Sequence, residues 1–323
     1  MNDRRFLVTG SYGCIGAWVV HELVEDGEEV VTFDVSSDPR RLALLLDTGR
    51  LARIPHVAGD ISDLDTVERA LDRHGITNMI HLAALQVPFC RADPPLGARV
   101  NVLGTVNVFE AVRRRLDRMA PLVFASSIAA FDVPEGEEPP VMSAHPGTLY
   151  GVFKRANEST AWVYHAESGV ASVGLRPHTV YGIGRDQGLT SAPTTAMLAA
   201  AAGVPYTIPY GGASQLQLAR DVARAFIGAS LSSAIGAEMH TLPGSTVSIA
   251  EVIDAIAEVV PESAGSIDFE DVRLPFPPEA DSASFGEVVP GFVTTPLVEG
   301  VRSTIERFRA LLADGLIPVP ATA

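Results

Sequence analysis

The chain has 323 residues, 47% of them hydrophobic and 20% charged, enough for a large buried core in one big α/β domain or two unequal lobes. A formal net charge of −15 argues against nucleic acid or an anionic membrane as a partner. Two cysteines, Cys14 and Cys90, are too few for a disulfide framework and lack zinc-site spacing, so no metal is expected.

Both cysteines read as packing residues in a reducing compartment, and the N-terminus runs straight into a strand without the pattern of a secretory signal. No apolar run approaches the ~20 residues needed to cross a bilayer. Ala-rich 196–202 is too short and ends at Gly203-Val204-Pro205. A cytoplasmic protein is the expectation.

The first element is the apolar strand Phe6-Leu7-Val8, followed by Thr9-Gly10-Ser11-Tyr12-Gly13-Cys14-Ile15-Gly16. The G-x-x-G-x-x-G spacing is a variant of the dinucleotide-binding fingerprint. Gly10 suits a tight turn, Gly13 lets phosphate approach the backbone, and Gly16 lets a helix pack closely on the strand. The helix that follows, expected over 17–25, would offer unpaired N–H groups to a pyrophosphate. Val30–Phe33 reads as the second strand and ends at Asp34. A carboxylate about 20 residues past the glycines can accept from ribose hydroxyls and repel a 2′-phosphate. Arg40 and Arg41 follow and could serve a phosphate, yet Asp34 favours NAD over NADP.

The alternation then repeats: a strand end at Val57–Asp60, a helix over 64–73, a strand over 79–82, a long helix over 98–115 and a strand over 122–125. Such a rhythm predicts a doubly wound parallel sheet of Rossmann type, covered on both faces. Beyond about residue 185 it breaks down. Loops rich in Gly and Pro (205–212, 275–278, 290–296) separate shorter pieces, with clear helices over 249–259 and 296–312. The expected division is an NAD-binding domain over 1–185, with segments near 215–245 returning to it. A smaller, interleaved substrate lobe would occupy most of 186–323.

Tyr150 and Lys154 stand four apart at the start of a helix expected over 150–167, so both side chains share one face. A phenol with its ordinary pKa near 10 is a poor base at neutral pH. A neighbouring ammonium and an oxidised nicotinamide favour the phenolate, so Tyr150 can exchange a proton with a substrate hydroxyl as hydride moves. Ser126 and Ser127 lie at the C-terminal end of the 122–125 strand, where parallel sheets bind ligands. Ser127 is the candidate to hold the reacting oxygen.

Together these residues resemble the extended short-chain dehydrogenase/reductase group, of the NAD-dependent epimerase/dehydratase type. The matching pieces are the glycine turn, Gly59-Asp60-Ile61, His81-Leu82-Ala83-Ala84, Asn101-Val102-Leu103-Gly104-Thr105, Ala125-Ser126-Ser127, Tyr150-Gly151-Val152-Phe153-Lys154 and Leu175-Arg176-Pro177-His178-Thr179-Val180-Tyr181-Gly182. The resemblance covers residues 4–185 and loosens over the last third. It implies that Asp60 and Ile61 sit at the adenine, and that Leu82, Ala83 and Ala84 line the pyrophosphate and nicotinamide ribose. It also implies that Lys154 holds that ribose, that Pro177, Thr179 and Val180 flank the carboxamide, and that Asn101 belongs to the helix beneath the site. Gly10, Tyr12, Gly13, Cys14, Ile15, Gly16 and Asp34 complete the cofactor set. The helices over 98–115 and 150–167 resemble those that pair two subunits into a four-helix bundle, so a homodimer is implied.

Three departures from the family pattern narrow the reaction. Ser127 is followed by Ile128 and Ala129, with no acidic residue, which disfavours dehydratase and decarboxylase chemistry. Position 214 is serine where nucleotide-sugar enzymes often carry arginine, and Arg220 replaces the first aspartate of an Asp-Asp pair. Arg185, Arg220 and Arg273 are left as cations for a diphosphate. The loop Leu85-Gln86-Val87-Pro88-Phe89 is apolar where a sugar pocket would want donors. Gln86, Phe89, Ser126, Ser127, His178, Arg185 and Arg220 are the substrate candidates. The expected activity is hydride transfer from a secondary alcohol of a sugar or sugar-like substrate, as epimerase or dehydrogenase. A dehydrogenase or reductase of a small non-nucleotide alcohol or carbonyl compound, or a non-catalytic NAD-sensing protein, is the alternative.

Overall fold

Strands that read as unbroken apolar runs build the centre of the molecule. The computed structural model describes residues 4–131, 146–274 and 277–320; Pro275 and Phe276 of the expected 275–278 loop lie outside them. In chain order the sheet elements and their crossovers begin with β1 (Arg5–Thr9), α1 (Cys14–Glu25), β2 (Glu29–Asp34), β3 (His56–Ala58), α2 (Leu64–His74) and β4 (Asn78–His81). They continue with α3 (Gly104–Arg113), β5 (Leu122–Ala125), α4 (Leu149–Ser168), β6 (Ser172–Arg176) and β7 (Thr179–Tyr181). The remainder is α5 (Ala192–Ala202), β8 (Tyr206–Ile208), β9 (Ala213–Leu218), α6 (Ala219–Ser230), β10 (Ala237–Thr241), β11 (Ser245–Ser248), α7 (Ile249–Val259), β12 (Ile267–Phe269) and α8 (Leu297–Ala313).

Seven strands form one parallel sheet in the order β10-β6-β5-β4-β1-β2-β3. Two small sheets, β11-β9-β7 and β12-β8, lie in the C-terminal part. Both faces of the central sheet are covered, which is why its strands need no polar side. One face packs on α1 and α6 through Val19, Val20, Leu23, Val222 and Phe226; the other packs on α2 and α3 through Val67, Leu71, Val108, Phe109 and Val112. A third apolar cluster joins α5, α7 and α8 through Met197, Ile256, Ile305 and Phe308. The chain thus leaves the central sheet after β6 and returns to it with α6 and β10.

Local signals set several boundaries. Asp63 caps α2 by accepting from Thr66 N–H, and Gly75 ends it at φ 58°. Helix α1 starts at Cys14 rather than at 17, because Gly13 already takes the extended N-cap conformation. The helix expected over 98–115 is not one regular helix. A short helix over Pro94–Ala98 runs into a π-helical turn, Arg99–Leu103, before α3 begins. At this turn the Asn101 carbonyl accepts from Thr105 Oγ1 and Asn157 Nδ2 at 2.7 and 2.9 Å. Side-chain bonds that draw a carbonyl out of the helical ladder favour such a bulge.

Candidate active site

The C-terminal ends of β1, β4, β5 and β6 open into a cleft of about 910 Å³, the place where parallel sheets bind ligands. The glycine turn forms one wall. Gly10 has φ 65°, and a Cβ there would lie 2.7 Å from Ala83 N. A Cβ on Gly16 would lie 2.1 Å from Gly10 O, so only glycine lets α1 come so close to the strand end. Gly13 brings no capping side chain, which leaves the first N–H groups of α1 without a side-chain acceptor beside the cleft. This cradle of backbone donors, lined by Gly10, Gly13, Cys14, Ile15 and Gly16, fits a dinucleotide pyrophosphate. Burial pushes the Cys14 thiol up to about 11, so it is a neutral lining group.

Tyr12 and Asp34 lie behind that wall. Asp34 Oδ2 accepts from Tyr12 N–H at 2.9 Å and Oδ1 from Ser36 N–H at 3.0 Å. Asp60 is exposed and ties Ser62, while buried Ile61 packs against Gly104 and gives its carbonyl to Asn107. Leu82 and Ala84 line the cleft, and the Leu82 and Ala83 N–H groups point to Thr9 Oγ1 at 3.2 and 3.3 Å. Asn101 is buried beneath the site: its amide side chain donates to Leu85 O at 2.9 Å and accepts from Leu85 N–H at 2.7 Å. Pro177 and Val180 line the cleft, whereas Thr179 is buried behind them, hydrogen-bonded to Ser214 Oγ at 2.7 Å.

Ser127, Tyr150 and Lys154 meet on the opposite wall. Thr148 starts α4 by accepting from Gly151 N–H at 3.0 Å, which puts Tyr150 in the first turn. A Cβ on Gly151 would lie 2.0 Å from Ala129 O, so glycine lets α4 press against the turn that carries Ser127. Ser127 hydrogen-bonds the Tyr150 hydroxyl. Burial raises the Tyr150 pKa, and the Ser127 bond and the nearby Arg185 charge oppose that rise. Lys154 Nζ donates to Ala125 O at 2.7 Å and lies 5.6 Å from the Tyr150 ring centre. Burial brings its pKa down to about 8.

Behind this wall lies a buried ionic cluster that the motifs do not reveal. Glu158, one turn beyond Lys154, accepts from Ser126 Oγ at 2.6 Å and from Arg176 Nε and Nη2 at 2.7 and 2.9 Å. Arg155 Nη1 adds a bond at 2.9 Å, and Arg176 lies over the Phe131 ring at 4.6 Å. Burial would raise the Glu158 carboxyl, but the Arg176 bonds and charge outweigh it and hold the group below its ordinary value. The cluster fixes Ser126 and the end of β5 against α4. A glutamate on the Tyr150/Lys154 face was the available sign of it.

Of the substrate candidates, Gln86, Ser126, Ser127, His178 and Arg185 line the cleft. Arg185 Nη2 donates to Thr190 Oγ1 at 2.8 Å. His178 takes Gln217 Oε1 on its backbone N–H, and its Nε2 lies 2.7 Å from Pro277 O; burial brings its pKa down to about 4. Phe89 is half exposed on the short helix Val87–Ala92 and is not part of the described lining, to which that helix contributes Arg91 instead. Arg220 is also absent from the lining: it sits on α6, paired with Glu22 at 2.9 Å. Arg273 is exposed beside Gly212. Among the described residues no cluster of three metal-ligating side chains occurs, and no helix is long and apolar enough to cross a membrane.

The chain matches the NAD dependent epimerase/dehydratase family over residues 6–237. It is similar to UDP-glucose 4-epimerase of Mycolicibacterium smegmatis, with 30% identity across 94% of this chain and 98% of that protein. The chain spans about half the length of other curated relatives it matches, 51% and 43% for two of them. Among solved structures, the UDP-glucose 4-epimerase of Thermus thermophilus in complex with NAD shares 28% identity, with a TM-score of 0.77 over 94% of this chain and 99% of that one. A partial-consensus L-threonine 3-dehydrogenase shares 26% identity, with a TM-score of 0.80 over 95% and 99%.

Proposed function

Because the chain belongs to the NAD-dependent epimerase/dehydratase family, we propose that it reversibly oxidises a secondary alcohol of a sugar or sugar-like substrate, with Tyr150 as general acid/base. Its membership makes it an NAD-dependent enzyme. The observation that carries the finer reading is the meeting of Ser127, Tyr150 and Lys154 on one wall of the cleft whose other wall is the glycine turn.

NAD, when bound, supplies the hydride acceptor and a positive ring. The glycine turn would hold its pyrophosphate and Asp34 its adenosine ribose. Ser127 positions the substrate oxygen next to Tyr150 Oη, which takes the hydroxyl proton and later returns it. In the free protein burial keeps the phenol protonated. Lys154, at about 8, is an ammonium at neutral pH and favours the phenolate until its proton leaves as the pH rises past that value. Ile128 and Ala129, neither of them acidic, follow Ser127 in the chain, which speaks against the elimination and decarboxylation branches.

Epimerisation is the first reading, in line with the full-length relative. Dehydrogenation of a non-nucleotide alcohol is the second. It is favoured because position 214 is an uncharged serine bonded to Thr179 and Arg220 is paired with Glu22, so neither offers a free cation to a diphosphate. Of the three arginine candidates, Arg185 alone is in the described lining. The purified protein separates the two. An epimerase is expected to carry bound NAD and to interconvert isomers without net absorbance at the NADH band; a dehydrogenase reduces added NAD and releases it. Failure of sugars, sugar acids and simple alcohols alike, with NAD affinity intact, would overturn the enzymatic reading of the site.

We also propose a homodimer through the outer faces of α3 and α4. Leu103, at the π-helical turn that leads into α3, and Leu149, Val152, Trp162 and Val163 of α4 are exposed, with Trp162 66% exposed. Sedimentation is expected to give a dimer for the wild type and a monomer for Trp162→Arg. A monomeric wild type at micromolar concentration would refute the pairing.

A further inference from the structure

Tyr12, in the glycine turn, meets side chains of opposite charge at its two backbone groups. Its N–H donates to Asp34 Oδ2 at 2.9 Å, and its carbonyl accepts from Arg41 Nη1 at 3.2 Å. Arg41 therefore stands beside the acidic end of β2, where the 2′-phosphate of NADP would present a dianion. That guanidinium is already engaged. Its Nε and Nη2 both reach Asp186 Oδ1, at 2.9 and 2.6 Å, and Arg40 Nη2 lies 3.6 Å from Asp186 Oδ2.

Asp186 is distant in sequence, 145 residues along the chain from Arg41. It lies on the loop after β7, which Trp18 pins by donating from Nε1 to Ile183 O at 2.9 Å. Gly184 on this loop faces the Arg41 stem, and an added Cβ would sit 3.7 Å from Arg41 Cβ. The Arg41 side chain is 15% exposed and that of Asp186 47%. The pair is thus accessible to solvent on its acidic side, and breaking it costs little.

We propose that Asp186 is a second determinant of NAD over NADP: it holds Arg41 and Arg40 away from a 2′-phosphate that Asp34 also repels. Two carboxylates then act on one selectivity, Asp34 by repulsion and Asp186 by occupying the cations a phosphate would need. On this account, removing Asp34 alone leaves a site that tolerates the phosphate without attracting it. The inference rests on NAD as the cofactor and not on the identity of the substrate or on the role of Tyr150.

The test is a binding titration of NAD and NADP on the full chain, read by calorimetry. The variants are Asp34→Gly, Asp34→Gly/Asp186→Asn and the same pair with Arg41→Ala. The double variant is expected to bind NADP at least about threefold more tightly than Asp34→Gly, with NAD affinity within about twofold. Arg41→Ala is expected to cancel the gain, and added salt to shrink it. The proposal is overturned by no gain, by an equal gain for NAD and NADP, or by a gain that survives Arg41→Ala. Loss of both affinities when Asp186→Asn is added to Asp34→Gly would also overturn it, making Asp186 a general support of the cofactor site. Because no turnover is measured, these results stand whatever the substrate screen finds.

Discussion

Tyr150→Phe is expected to lower turnover of an identified substrate by about 10³-fold while leaving NAD affinity within about twofold. The substitution deletes one oxygen and keeps the ring that Lys154 lies beside at 5.6 Å. Helix α4 keeps its Thr148 cap and its close contact with Ala129, so the wall should not move. Ser127 loses its bond to the phenol but retains the one it accepts from Ala129 N–H at 3.2 Å. Among the described lining residues His178 is the other titratable ring, yet its Nε2 is held by Pro277 O, and its Nδ1 lies 3.3 and 3.5 Å from Thr179 and Ser214. It is therefore poorly placed to act in place of Tyr150. Stopped-flow or steady-state rates of the variant, alongside an NAD titration, check the prediction. Turnover above about a tenth of wild type would remove Tyr150 from the chemistry.

What could be read from the sequence was what depends on short spacings. Three residues between Tyr150 and Lys154 put both on one helix face whatever the rest of the fold does. Apolar runs such as Phe6-Leu7-Val8 and Leu122-Val123-Phe124 announce strands buried on both sides, and they lie in the central parallel sheet. The glycine spacing marks a turn where side chains have no room, and the 2.1 Å approach at Gly16 is the physical content of that signal.

What the spacing did not carry is partnership across the fold. Arg220 looked like a cation for a diphosphate, but its partner is Glu22, 198 residues away, which only the packing of α6 on α1 brings to it. Asp186 gave no local sign of holding Arg41. The π-helical turn at Arg99–Leu103 was equally hidden, because it answers to Asn157 on another helix. Glu158 is intermediate: its face was legible from Lys154, but its bonds to Ser126 and Arg176 required the register of β5 and β6 against α4.

The same distant packing governs how the protein should respond to acid. His81 is buried at the end of β4, with Nδ1 2.7 Å from Thr9 Oγ1 and Nε2 3.1 Å from Thr105 Oγ1. Thr105 spends its proton on Asn101 O, so it accepts from His81 Nε2–H, and Nδ1 accepts from Thr9. The bonds therefore suit a neutral ring. Burial, with the Lys154 charge adding to it, brings the His81 pKa down to about 3; burial likewise brings His178 to about 4. An unfolded histidine titrates near 6.5. Above that value both states bind no proton and the contribution is intact. As the pH falls below about 6.5 the unfolded chain takes up protons that the native state refuses, and stability is lost progressively towards the folded values. Each of the two histidines is expected to cost about 2 kcal/mol between pH 7 and 5. Carboxylates held low, such as Glu110 beside Arg113 at about 2, enter only below about pH 4.5, which leaves the upper window to the histidines. Urea unfolding at pH 7 and 5 measures the loss, and His81→Asn should reduce it by about half even if the variant is less stable at pH 7. A wild type that loses under about 1 kcal/mol over this window would show that these rings accept protons in the native state. Because native His81 stays neutral throughout this window, Thr9 keeps its bonds to the Leu82 and Ala83 N–H groups beside the cleft, and the NAD affinity of the folded protein should hold steady as its stability falls.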